Sequence, residues 1–144
     1  AAATEAPAAA LELPDGTVVT GKNGPLLGAA SSALLNALKV LAGLDDSLHL
    51  IAPEGIEPIQ HLKVSHLGNH NPRLHTDETL IALSISAVTD PNAERAMEHL
   101  AELSGCDAHS TVILSQVDTD VFRKLGVNMS CEPRYQTKKL YHKR

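Results

Sequence analysis

The stretch Asn71-Pro72-Arg73-Leu74-His75-Thr76-Asp77-Glu78 gathers a guanidinium, an imidazole and two carboxylates within a few residues. Arg73 could clamp a carboxylate or phosphate through two parallel hydrogen bonds, while His75 exchanges a proton near neutral pH beside Asp77 and Glu78. The same residues also suit a helix start, with Asp77 and Glu78 answering the helix dipole and Arg73 pairing with one of them. A second stretch, Gly21-Lys22-Asn23-Gly24-Pro25-Leu26-Leu27-Gly28, is a glycine-rich turn between a strand and a helix. Backbone N–H groups around Lys22, Asn23 and Gly24 could hold an anion at the helix start. Lys22 precedes the second glycine and has no adjacent Ser or Thr, so the string is not a nucleotide-triphosphate loop. A tight connection without ligand is the alternative.

Other reactive residues form weaker patterns. His61, His66, His70 and His75 lie close in sequence and, with Asp77 or Glu78, could bind a transition metal. No HExxH or comparable spacing fixes a geometry, so no metal and no cofactor is assigned. His109 and Ser110 are neighbours in a predicted strand and therefore point to opposite faces, which rules out a dyad by adjacency. No Gly-x-Ser-x-Gly elbow occurs. Cys106 and Cys131 are too few and too far apart for a disulfide scaffold or a four-thiolate zinc site, and are expected as buried small hydrophobes.

The elements that must position these groups follow from turn chemistry and periodicity. Residues 11–13 and 17–20 flank Pro14-Asp15-Gly16 and predict a hairpin. Residues 26–42 keep helical spacing behind Pro25 and stop at Gly43. Residues 48–51 read as a strand, 58–67 as a helix closed by Gly68, 76–88 as a helix capped by Thr76, and 91–103 as another. Residues 109–114 and 127–131 read as strands around a short helix capped by Asp118 and ended by Gly126. Strands alternating with helices predict an α/β fold: a three-layer α/β/α sandwich around a mostly parallel five-stranded sheet with an N-terminal hairpin. The strand ends would then gather Glu54, Ser115 and Glu132 near Lys22, Asn23 and Gly24, forming a crevice for a ligand. The helices at 26–42 and 76–88 carry few polar positions, which suggests cover from outside the chain or, as the alternative, helices merely rich in neutral Ala and Ser.

Composition narrows the function classes. The chain has 144 residues and a formal charge of −5, and four of its twelve basic residues sit in the last eight, leaving the body more acidic still. Only 2% of residues are aromatic. Neither feature suits phosphate-backbone binding or base stacking, so no nucleic acid is expected. No apolar run reaches the ~20 residues of a bilayer span, and the Ala-rich start lacks a basic leader, so no membrane is expected and a cytoplasmic setting is the default. Residues 1–10 read as a linker, 11–134 as one α/β domain and 135–144 as a basic tail.

The strings LPDGTVVTGKNGPLLGAASSALLNALK, EPIQHLK, LGNHNPRLHTDETLIALSISA, GCDAHSTVILSQVD and LGVNMSCEP resemble the carboxy-terminal part of a bacterial family catalogued as domain of unknown function 1846. The resemblance covers nearly all of the chain after residue 10. It implies one subdomain of a longer protein, with a sandwich similar in layout to the cytidine-deaminase-like fold, and lends no established activity. The deaminase zinc motif is absent: His75-Thr76-Asp77 offers a shorter carboxylate and no Cys-x-x-Cys partner. Two functional readings result. One is an accessory subdomain that packs on its upstream domain, supports a homo-oligomer or closes a shared pocket. The other is a contribution to an enzyme site for a small anionic or phosphorylated ligand. There Lys22, Asn23, Gly24, Glu54 and Arg73 would bind, and His75, Asp77 and Glu78 are the catalytic candidates.

Overall fold

Pro14-Asp15-Gly16 reverses the chain between β1 (Ala8–Glu12) and β2 (Val18–Lys22), which pair antiparallel with Leu11 opposite Val19. Gly16 takes φ 90°, a conformation that suits glycine. The Asp15 carboxylate accepts the Thr17 N–H at 2.9 Å, and that bond holds its pKa below the ordinary value. The computed structural model describes residues 8–132. Ala8–Ala10, assigned to a linker by composition, are therefore part of the sheet; residues 1–7 and the basic tail at 135–144 lie outside the described residues.

The sheet corrects the expected architecture. β3 (Asp107–Ser110) pairs antiparallel with the free edge of β1, and β4 (Asn128–Cys131) pairs parallel with β3, giving the order β2-β1-β3-β4. The class remains α/β, but the sheet has four strands and mostly antiparallel pairing, not five mostly parallel strands. Residues 48–51 are the missing strand. Leu50 and Ile51 are buried in the core, yet α2 (Pro53–His61) begins almost at once and the segment joins no ladder. Its apolar run reports burial rather than pairing. The parallel pair arises where the chain crosses over through α5 (Gln116–Leu125) between β3 and β4.

The layer count is also corrected. Ala9, Leu11, Val19, Gly21, Ala108 and Ser110 share one sheet face through the strand register and are all buried. The opposite face carries Glu12, Val18, Thr20, Asp107, His109, Asn128 and Ser130, all exposed. One face is covered by helices and the other is open, so the described residues make two layers. The three-layer layout similar to the cytidine-deaminase-like fold does not hold.

α1 (Ala29–Leu41) lies on β1 and β2 and also contacts α3 (Thr76–Ser86) and α4 (Pro91–Glu98). Its approach to β2 is very close: a Cβ on Gly21 would stand 2.2 Å from the Ala33 nitrogen. Ala9, Ala29 and Ala33 fill that seam with small side chains. Leu34 and Leu38 of α1 join Leu11, Leu74, Leu83, Leu103 and Phe122 in the main core. Because its own chain covers it, α1 needs no outside cover, contrary to the expectation for residues 26–42.

Three boundaries matter for the site. The helix expected over 58–67 starts earlier, as α2 with Pro58 inside it, and continues as a π-helical turn, Leu62–His66, that includes the buried Lys63. The helix expected over 91–103 is α4, capped by Asp90 through the Asn92 N–H at 2.9 Å, followed by a 3-10 turn at Leu100–Leu103. α5 is capped by Ser115, whose Oγ accepts the Asp118 N–H at 3.2 Å, which leaves the Asp118 carboxylate free for another partner.

Candidate functional site

The glycine-rich bend and the Asn71–Glu78 loop do meet. Leu27 and Leu74 form an isolated parallel bridge, with the Leu74 N–H donating to the Leu26 carbonyl at 3.0 Å and the Gly28 N–H to the Leu74 carbonyl at 3.3 Å. Ser31 Oγ donates to the same Leu74 carbonyl at 3.0 Å. Arg73 Nε reaches across to the Gly24 carbonyl at 2.7 Å, and Asn23 Oδ1 accepts the Ala29 N–H at 2.7 Å, which satisfies one of the orphan donors at the α1 start. Beside this junction lies a cleft of about 50 Å³, whose polar walls include Asn23, Asn71, Arg73, His75, Ser115 and Asp118. A water needs roughly 10–15 Å³ of such space. The cleft therefore suits a few waters or one compact ion, and is too small for a nucleotide.

The other candidates part company. Lys22 is exposed and lines a separate groove of about 330 Å³ between α1 and residues 48–51, so it does not face Arg73. Glu54 stands exposed on α2 and lines neither space. Asp77 turns back to accept the Glu78 N–H at 2.7 Å. Glu78 Oε1 accepts the His75 N–H at 2.9 Å and the Lys63 ammonium at 2.8 Å, with His75 Nδ1 at 3.6 Å. Lys63 Nζ also donates to the Arg73 carbonyl at 2.7 Å. Arg73 pairs with neither Asp77 nor Glu78; the cation that answers Glu78 is Lys63. Glu132 is remote from the bend: its carboxylate stands 3.3 Å from His109 Nε2 on the open sheet face. Of the predicted set, Asn23, Arg73, His75 and Ser115 line the cleft, and the Gly24 carbonyl anchors Arg73 beside it.

Two residues that sequence reasoning missed hold this region together. Lys63 is 4% exposed, and its burial becomes visible only once the π-helical turn is known. Asp118 is 8% exposed and accepts both the Thr76 N–H at 2.8 Å and the Thr76 hydroxyl at 2.6 Å, so the carboxylate of α5 caps the start of α3. The Ser115-x-x-Asp118 spacing was the available signal, since a Ser cap frees the acidic residue for a long-range partner. On the open face, His109 Nδ1 lies 2.7 Å from Ser130 Oγ, a cross-strand pair that neighbour spacing could not reveal. Among the described residues no group of three or more His, Cys, Asp or Glu side chains converges to hold a metal. Cys106 is buried, which pushes its thiol pKa up, with Asp107 and Glu12 adding to the shift; Cys131 is exposed and both are free.

Among the described residues, a two-layer α/β domain, with one open sheet face and a small polar cleft beside the Lys63–Glu78 ion pair, is the class that these features define. The chain belongs to the family described as "Domain of unknown function DUF1846, C-terminal", which matches residues 1–141. It is 61% identical over 142 residues to a UPF0371 protein of Corynebacterium aurimucosum, and the match covers 98% of this chain and 28% of that protein. A UPF0371 protein of Corynebacterium diphtheriae is 58% identical over 141 residues, with the same coverage. One of Streptococcus pyogenes is 54% identical over 140 residues, covering 97% of this chain and 28% of that protein. The chain thus spans little more than a quarter of the length of these bacterial relatives and corresponds to their C-terminal part.

Proposed function

We propose that this chain is an accessory packing unit: a preformed C-terminal block that docks on the rest of a longer family protein and performs no reaction by itself. The observation that carries this reading is how the charged residues of the Asn71–Glu78 region are used. Lys63 is committed to Glu78 and the Arg73 carbonyl, Asp118 to Thr76, and Arg73 to Gly24. Such ties rigidify a loop; they do not present a poised acid and base. The small share of each relative that the chain covers supports the same reading, as does the open sheet face. The setting we propose is cytoplasmic, and among the described residues no helix is long and apolar enough to cross a membrane. Self-association of the completed protein is part of the proposal. The test is to produce this chain and the remaining part of a family protein as separate polypeptides, mix them and measure mass in solution. A joint species is expected; a well-behaved monomer that ignores the remainder overturns the reading.

A second reading is favoured by one specific observation, the Arg73 guanidinium lining a cleft that also borders the first turn of α1. We propose that this cleft takes a small anion, with Arg73 as its charged donor and the unsatisfied N–H groups of the helix start as partners. Asp118, which also lines the cleft, weakens the site for a highly charged ion and favours a singly charged one. Titration with inorganic phosphate and with formate, followed by amide shifts at Ala30 and Ser31, tests this. Saturable shifts that disappear in Arg73→Ala support it, and shifts that persist there overturn it.

A further inference from the structure

The geometry points to an interface on α3, where Ile81, Ile85 and Val88 form a docking stripe for the preceding portion of the same polypeptide in the longer family protein. This deepens the packing reading and rests on it. The stripe is exposed at 59%, 66% and 82%, and its spacing of four then three residues keeps it on one side of α3 and the turn that follows. The buried residues of α3 are Thr76, Thr79, Ala82 and Leu83. The helix turns Leu83, Ala82 and both threonines toward this chain's own core, with Leu80 packed against it, and still leaves its two isoleucines outward, where a solvated surface helix carries polar residues. No charged residue interrupts residues 79–89; the exposed Ser84 beside the stripe turns its hydroxyl back to the Ile81 carbonyl.

The occupant follows from size and tethering. Three side chains offer far less than the ~800 Å² per partner that a stable contact between free molecules buries. A segment of the same chain needs much less, because covalent connection removes most of the translational and rotational cost of association. Most of each relative's length lies outside the matched region, which supplies such a segment. Its contacting surface should be apolar and uncharged to match the stripe.

Hydroxyl-radical footprinting of a full-length family protein bearing this chain as its C-terminal part tests the assignment. Modification at Ile81, Ile85 and Val88 should be several-fold slower than their exposure here sets, and unchanged on dilution. Protection that disappears on dilution assigns the stripe to a second copy and overturns the inference. Rapid modification of the stripe at every concentration also overturns it. If the open sheet face around Val18 and His109 is then protected, the packing reading stands on another surface, and if that face is also unprotected, both fail. As an independent check, Ile85→Glu should lower the Tm of the full-length protein while Val40→Glu, at a half-exposed position of α1, leaves it nearly unchanged; equal effects overturn the inference.

Discussion

In α1, eight of thirteen residues are buried, and most of the eight are Ala or Ser; in α3, four of eleven are buried, while Ile81 and Ile85 face outward. As strings the two helices look equally apolar. The difference lies in the size of the side chains. Small residues let α1 descend onto β2 until Gly21 is the one residue that fits beneath Ala33, and neighbours can then close around it. α3 turns Thr76, Thr79, Ala82 and Leu83 inward but lies at the rim, where Ile81 and Ile85 are left uncovered. A small-residue helix thus marks the centre of this domain, and a helix that leaves two of its large aliphatic residues uncovered marks an edge.

The severest way to break this comparison is Gly21→Ala. A methyl group there collides with backbone atoms of α1 at 2.2 to 2.8 Å, and backbone cannot swing aside as a side chain can. Overpacking usually costs about 1–3 kcal/mol and occasionally more, and the upper end is expected here because helix and strand must separate. Urea denaturation should show a large loss of stability or no folded protein. A wild-type midpoint would mean that α1 is not seated on β2.

The next comparison sets the helices against each other directly. Leu38→Ala removes a side chain with no exposure and should cost about 2–5 kcal/mol, whereas Ile85→Ala in this chain alone should stay within about 0.5 kcal/mol. In a full-length protein the Ile85 cost should rise to between about 1 and 3 kcal/mol, the range for a buried aliphatic side chain. Equal costs for Leu38 and Ile85 in this chain would erase the distinction between centre and edge.

These helices also show what was legible before the structure. The hairpin around Asp15-Gly16 and the helix stops at Gly43, Gly68 and Gly126 are local, so residue types within a few positions decide them. The meeting of the Gly24 bend with Arg73 was also anticipated, though by a hydrogen bond to a carbonyl instead of a shared ligand. What escaped is non-local. Residues 48–51 have strand composition, but the hairpin edge of β1 had already taken β3 as its partner, leaving β2 and β4 as the edges. Lys22 and Arg73 diverge because β2 ends in an exposed residue while the loop turns inward, and alternation along β2 fixes that only when the covered face is known.

Asp118→Ala probes how the edge helix is fastened. The carboxylate accepts two bonds from Thr76, and its removal strands a buried N–H and a buried hydroxyl at the start of α3. The loss should be about 2 kcal/mol. Amide exchange should accelerate through the first turn of α3 and leave α1 protected. Uniform acceleration in both helices would show that α3 is no looser an element than α1.

The smallest effect comes from pH and separates the two helix exits. After α1, Asp45 Oδ1 accepts the Ser47 hydroxyl at 2.7 Å and the Ser47 N–H at 2.8 Å, and these bonds, with Lys39 nearby, hold its carboxyl below the ordinary value. A depressed carboxyl pKa contributes stability that is complete above the unfolded value of about 3.9 and disappears as pH falls through the lower folded value. The exit from α3 holds no titratable side chain between Thr79 and Thr89, so acid finds nothing to protonate there. Lowering the pH from neutrality into that window should therefore reduce the protection of the Ser47 amide, measured against its intrinsic exchange rate at the same pH, without a matching change at Val88. Asp45→Asn should flatten the response at Ser47, since an amide oxygen still accepts both bonds but cannot be neutralised by a proton. If the Ser47 amide kept its full acid response in that variant, the carboxylate would not be the group that holds the turn after the central helix.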